Sequence, residues 1–168
     1  MIHLEIKDYH EIIFNDIREI IYDDDGKPRY ENCLDGMNKL ESILTLIKNN
    51  TYYPDYHQKA SYLFLALSTG HYFINGNKRL ALFSYIYFTN LNKYKYRKLN
   101  EKKYIEWFKK YFPNYKMSKH NFYSNIGWAL YNFNRAINIK KSQNEQGHQY
   151  NFDELKKITE NFFRFITK

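Results

Sequence analysis

Ser61–Leu67 reads SYLFLAL, His71–Arg79 reads HYFINGNKR and Leu80–Phe88 reads LALFSYIYF, and the fold turns on how these three stretches are read. The outer two are apolar on almost every side, which is the signature of helices buried within a domain rather than laid on its surface. The polar nonapeptide between them then becomes a short inter-helix loop. It brings an imidazole, two amide side chains, a glycine, a lysine and an arginine to one point. The loop ends where the second helix starts, near Asn77, so unsatisfied N–H groups and the positive end of the helix dipole face outward there. Gly76 permits a tight turn and close approach of a ligand to the backbone. These features together attract phosphate.

Each side chain has a distinct use in that setting. Arg79 is a permanent planar cation able to grip two oxygens, and Lys78 adds a point charge. The amides of Gly76 to Lys78 form an anion-binding nest. Asn77 offers a carbonyl and an NH₂ that can bridge phosphate and loop backbone. His71 is the one residue of the loop able to take a proton from an attacking hydroxyl near neutral pH. Phe73 is expected to anchor the loop in the core. His3, His10, His57, His120 and His148 share no metal-ligand spacing and read as structural.

The nonapeptide resembles the loop of the Fic/Doc family, His-x-Phe-x-(Asp/Glu)-(Gly/Ala)-Asn-(Gly/Lys)-Arg. His71, Phe73, Gly76, Asn77, Lys78 and Arg79 match, while Asn75 stands at the carboxylate position. Lys78 makes the loop look more like the Doc (death-on-curing) branch. The resemblance implies His71 as catalytic base, with Gly76, Asn77, Lys78 and Arg79 as nucleotide- and phosphate-binding residues. ATP or another nucleoside triphosphate would be co-substrate, with Mg²⁺ at a site weakened by Asn75. In the family the carboxylate ligates Mg²⁺ on the phosphates, and a neutral amide is a poorer ligand for a hard cation. The arginine that the Fic branch carries three residues further on is absent, and Leu82 stands there. The self-inhibitory (Ser/Thr)-x-x-x-Glu-(Gly/Asn) motif is absent too, because Glu160–Asn161 follows Lys156 at the required distance. The implied function is a Doc-like toxin of a bacterial toxin–antitoxin system. It would move phosphate from a nucleoside triphosphate to a hydroxyl of a target protein, with a translation factor the expected target. The alternatives are AMP transfer and a catalytically impaired Fic/Doc protein kept for binding. A target protein and a separate antitoxin chain are the implied partners.

Away from the loop, period-three and period-four spacing predicts an amphipathic helix at His10–Tyr22, with Ile12, Ile13, Ile17, Ile20 and Ile21 on its stripe. Asp23–Arg29 reads as a loop. A second helix is expected over Gly36–Asn49, then one capped by Asp55 and running to Thr69. Further helices are expected from about Asn77, over Glu101–Phe112 and over Lys119–Lys140, with Pro113 separating the last two. The fold class is all-α, a helical bundle of six or seven helices, with a short β-hairpin flap near the active site allowed for. Tyr94–Leu99 and Asn50–Pro54 are the candidate β pieces. Residues 1–140 are read as the helical domain and 141–151 as a polar linker. Residues 152–168 are read as a terminal helix covering the core or receiving a partner.

Composition narrows the rest. The lone cysteine, Cys33, excludes an internal disulfide and reads as a small buried hydrophobe. No apolar run approaches a membrane span and no cleavable leader is evident, so a bacterial cytoplasmic location is expected. The formal charge of +8 includes a broad basic region over Lys93–Lys116. Its residues are spread out, so a solvated face or a dock for an acidic protein is expected rather than nucleic acid.

Overall fold

A computed structural model of the chain describes residues 1–20, 26–147 and 151–168. Among these it is all-helical, with seven helices and no strand or sheet. The residues cluster into two compact units, Met1–Tyr94 and Lys95–Lys168.

The first unit opens with α1, a continuous helix built from Ile6–Asp8, a π turn at Tyr9–Ile13, and Phe14–Glu19. The π turn inserts one residue and re-phases the buried face. Tyr9, Ile13, Phe14 and Ile17 therefore face the core, while Ile12 and Ile20 of the expected stripe are exposed. Ile21, Tyr22 and the first part of the expected loop, Asp23–Asp25, lie outside the described residues. Tyr30–Asn32 makes a single 3₁₀ turn, followed by α2 (Leu34–Ile47) with Leu40, Ile43, Leu44 and Ile47 inward.

Helix α3 (Tyr56–Thr69) is the central element, and Asp55 caps it by accepting from the Gln58 N–H at 3.0 Å. Five consecutive residues, Leu63 to Leu67, are buried, so the helix is packed on all sides. Helix α4 (Asn77–Leu91) is its main partner. Two buried hydroxyl pairs involve these helices. Tyr9 Oη donates to Ser84 Oγ at 3.0 Å, and Tyr56 and Thr89 share a hydroxyl bond of 2.6 Å. These bonds keep desolvated hydroxyls from destabilising the core.

The second unit contains α5 (Glu101–Tyr111), α6 (Asn125–Gln146) and α7 (Phe152–Ile166). Its core is aromatic. Phe133 stacks on Phe162 at 4.1 Å, and Trp107 lies 4.8 Å from Phe162. The stripe of α7, Leu155, Ile158, Phe162, Phe163 and Ile166, is buried in that core. The candidate β pieces give no hairpin among the described residues. Residues 50–54 form a turn, and Tyr96 makes one isolated antiparallel bridge to Thr167. Beside that bridge, Lys95 and Lys168 exchange two backbone hydrogen bonds.

Helix α6 starts later than its hydrophobic pattern suggested, at the Ser124 cap, and runs into the segment expected as a linker. Lys141 and Glu145 pair at 3.2 Å along this extension, an i,i+4 contact that supports helix where apolar period is missing. Of the expected linker, residues 148–150, including His148, lie outside the described residues. No helix among the described residues is long and apolar enough to cross a membrane.

Candidate active site

The loop between α3 and α4 is shaped by four contacts that its own sequence does not announce. Asn77 makes a two-way clamp on Phe73, accepting from the Phe73 N–H at 3.0 Å and donating to the Phe73 carbonyl at 2.7 Å. Tyr30 Oη donates to the Gly76 carbonyl at 2.9 Å, which also accepts from the Leu80 N–H at 2.9 Å as the first bond of α4. Phe73 is buried and meets the Tyr30 ring edge-on at 5.0 Å, and Tyr30 stacks on Phe14 at 4.7 Å. Cys33, half-buried rather than a core hydrophobe, places Sγ 3.6 Å from the Tyr72 carbonyl. Burial raises the Tyr30 phenol above its ordinary pKa, offset in part by Arg79 and Arg18, so it stays a protonated donor.

Two backbone positions in the loop are left-handed. Gly76 has φ +78° at the start of α4, and a Cβ there would lie 2.4 Å from Tyr30 Oη. His71 has φ +51°. That conformation costs a non-glycine residue roughly 1–2 kcal/mol. Strain of this kind persists only where the surroundings enforce it, and the clamp on Phe73 two residues away is such an enforcing contact. The result is a histidine held out into solvent from a rigid base.

Lys78 and Arg79 are exposed in the first turn of α4, and Asn77 is half-buried. The first N–H groups of the helix lie ahead of its first i→i−4 bond, so its N-terminus is oriented to receive an anion. The structure thus brings His71, Gly76, Lys78 and Arg79 onto one short exposed segment. It commits both side-chain polar groups of Asn77 to the loop itself, leaving the Asn77 contribution to a ligand with its backbone N–H. Phe73 is buried.

Beside the loop lies a cavity of about 400 Å³ whose lining includes Lys27, Arg29, Tyr30, Cys33, Ile74 and Asn75. That volume is within the range of small-molecule sites. His71, Lys78 and Arg79 are not in its walls, so the cavity adjoins the Asn75 side of the loop. A divalent cation finds little here. Residues 71–79 offer the neutral Asn75 carbonyl and no carboxylate, and no group of three His, Cys, Asp or Glu side chains is placed to hold a metal among the described residues. The donor set does not fit a protein-held Mg²⁺.

Sequence reasoning missed Tyr30, Cys33 and Gly36 as supports of the loop. Gly36 faces Phe73 and the Tyr72 carbonyl so closely that a Cβ would lie 2.5 and 2.7 Å from them. A tyrosine inside the breaker-rich segment Gly26–Asn32 is the one local signal that could have pointed there.

No curated protein and no solved structure matches the chain. The model of the Fic/DOC family matches residues 3–89, just over half of the chain, a span that includes the whole loop, all of α3 and most of α4. Proteins of this family use nucleoside triphosphates and carry the fold of nucleotidyl and phosphate transferases. The chain belongs to the Fic/DOC family.

Proposed function

We propose that the protein is a Doc-like toxin that transfers the γ-phosphate of a nucleoside triphosphate to a hydroxyl of a target protein. The observation that carries this reading is His71, exposed and in a left-handed conformation on a loop braced by the Asn77–Phe73 clamp and the Tyr30–Gly76 bond. In this scheme the target hydroxyl oxygen attacks the γ-phosphorus while His71 Nδ1 or Nε2 takes its proton. The bond to the β,γ-bridging oxygen breaks and the nucleoside diphosphate leaves. Such chemistry needs in-line positioning and charge neutralisation more than covalent help from the protein. The N-terminus of α4, Lys78 and Arg79 are the groups available to supply both. The cavity beside Asn75, with Lys27 and Arg29 in its walls, is large enough for the body of a nucleotide.

Lys78 and Leu82 favour phosphate over AMP transfer, since no second arginine follows Arg79 to orient a triphosphate for attack at the α-phosphorus. A bacterial cytoplasmic setting, with a separate antitoxin chain as inhibitor, completes the reading. A second reading rests on Asn75. With no anionic oxygen in the loop, the protein would bind nucleotide and a partner without turnover.

Incubation of the purified chain with extract and either γ- or α-labelled ATP separates these. Label on a protein from γ alone supports phosphate transfer, from α supports AMP transfer, and from neither supports the binding reading. His71→Ala should abolish labelling while retaining ATP binding, and undiminished labelling in that variant would remove His71 as the base.

A further inference from the structure

We infer that Asn75 is a site of spontaneous deamidation, and that its product places on the loop the carboxylate that the encoded residue lacks. Of nineteen asparagines, Asn75 alone precedes a glycine. It is exposed, and Gly76 presents no Cβ to shield its own nitrogen. Among the described residues no acceptor takes the Gly76 N–H, so that nitrogen is available as a nucleophile. Lys27 and Arg29 line the same cavity as Asn75, and cations there favour the negative charge that develops during the attack.

The step balances without any further reagent than water. The Gly76 nitrogen attacks Asn75 Cγ and gives up its proton, the bond from Cγ to the side-chain nitrogen breaks, and ammonia leaves. A cyclic imide remains. Water adding at Cγ opens it to aspartate, and water adding at the main-chain carbonyl opens it to isoaspartate. Either product is an anion at position 75. Asn77 is an internal comparison six atoms of main chain away. Its carbonyl and NH₂ are both held by Phe73, it precedes Lys78, and it lies in the first turn of α4. The loop therefore protects one asparagine and leaves the other open.

The consequence is electrostatic. Conversion puts one negative charge on a loop whose charged neighbours, Lys78 and Arg79 on the loop and Lys27 and Arg29 in the cavity wall, are all cations. This extends the proposed function at the same loop, but its readouts are mass and charge, which do not depend on whether transfer occurs.

The full chain is incubated at mildly alkaline pH in heavy-oxygen water and mapped by peptide mass spectrometry over time. The result expected is conversion at Asn75, with one heavy oxygen incorporated, while Asn77 stays an amide. Gly76→Ala should lose the converted peak over the same interval. Because that variant is strained, the parent unfolded in urea supplies a second reference for the intrinsic rate. Ion-exchange chromatography of the folded protein should then resolve the converted form, together with Asn75→Asp, as one charge more acidic than the fresh protein. An amide retained at Asn75 in the folded chain while the unfolded chain converts would overturn the inference. So would conversion of Asn77 in the folded chain as fast as that of Asn75.

Discussion

Replacing Gly76 by alanine tests the loop's construction more sharply than any change at the chemistry itself. Two costs are separable. A left-handed φ of +78° costs alanine roughly 1–2 kcal/mol. The added Cβ would also lie 2.4 Å from Tyr30 Oη and 3.0 Å from Pro28. Relieving that contact displaces the phenol, losing its hydrogen bond for about 1 kcal/mol and adding overpacking of about 1–3 kcal/mol. The sum is a loss of about 3–6 kcal/mol. Tyr30→Phe alone should cost only about 0.5–1 kcal/mol, because the Gly76 carbonyl keeps its bond from the Leu80 N–H. In the Tyr30→Phe background the clashing oxygen and its bond are already gone, so Gly76→Ala should cost the backbone term and the remaining tight contact with Pro28, about 2–3 kcal/mol. Urea unfolding of the four proteins, followed by circular dichroism, closes the double-mutant cycle. A coupling energy indistinguishable from zero, or a single-variant cost under about 1 kcal/mol, would refute the claim that Tyr30 and Gly76 together fix the loop.

Other predictions address the site and the two cores. Asn75→Asp should tighten Mg²⁺-dependent ATP binding, because an anionic oxygen replaces a neutral one beside the phosphates, and calorimetry would read it. Phe162→Ala should cost about 3–5 kcal/mol in urea unfolding, since its ring is fully buried between Phe133 and Trp107. Lys59 is buried with its Nζ on the Ile47 carbonyl, and burial holds its pKa below the ordinary 10.5. Between the folded value and 10.5 the unfolded chain binds more protons, so this lysine makes stability rise with pH. Half-buried phenols such as Tyr62 and Tyr72, whose pKa values are raised by partial burial, act in the opposite direction at the alkaline end. The difference in unfolding free energy between the parent and Lys59→Met, measured over an alkaline pH series, should therefore increase with pH.

The loop and its two helices were legible because the signal is local. A dense motif sits between two apolar runs, and Asp55 caps the helix it was expected to cap. What was not legible depends on contacts distant in sequence. Tyr30 reaches Gly76 across 46 positions and Cys33 reaches Tyr72 across 39, and neither has a spacing that would flag it. The π turn at Tyr9–Ile13 defeated the 3.6-residue period, so Ile12 and Ile20 were assigned inward and lie outward. Asn77 was read as a ligand residue because its chemistry allows it, and only the fold shows that both its groups are spent on Phe73. The end of α6 was misjudged for the opposite reason. Residues 141–146 lack an apolar stripe yet remain helical on the strength of charge pairing.

The division of the aromatic residues has a practical side. Both tryptophans, Trp107 and Trp128, belong to the unit spanning residues 95–168, and the loop at 71–79 belongs to the other. Intrinsic tryptophan emission therefore watches the half of the molecule that carries no motif, while events at His71 fall to tyrosine, a weaker reporter. Ile74, fully exposed at the loop's tip, is the position where an introduced tryptophan would give the loop a voice of its own without displacing any packed side chain.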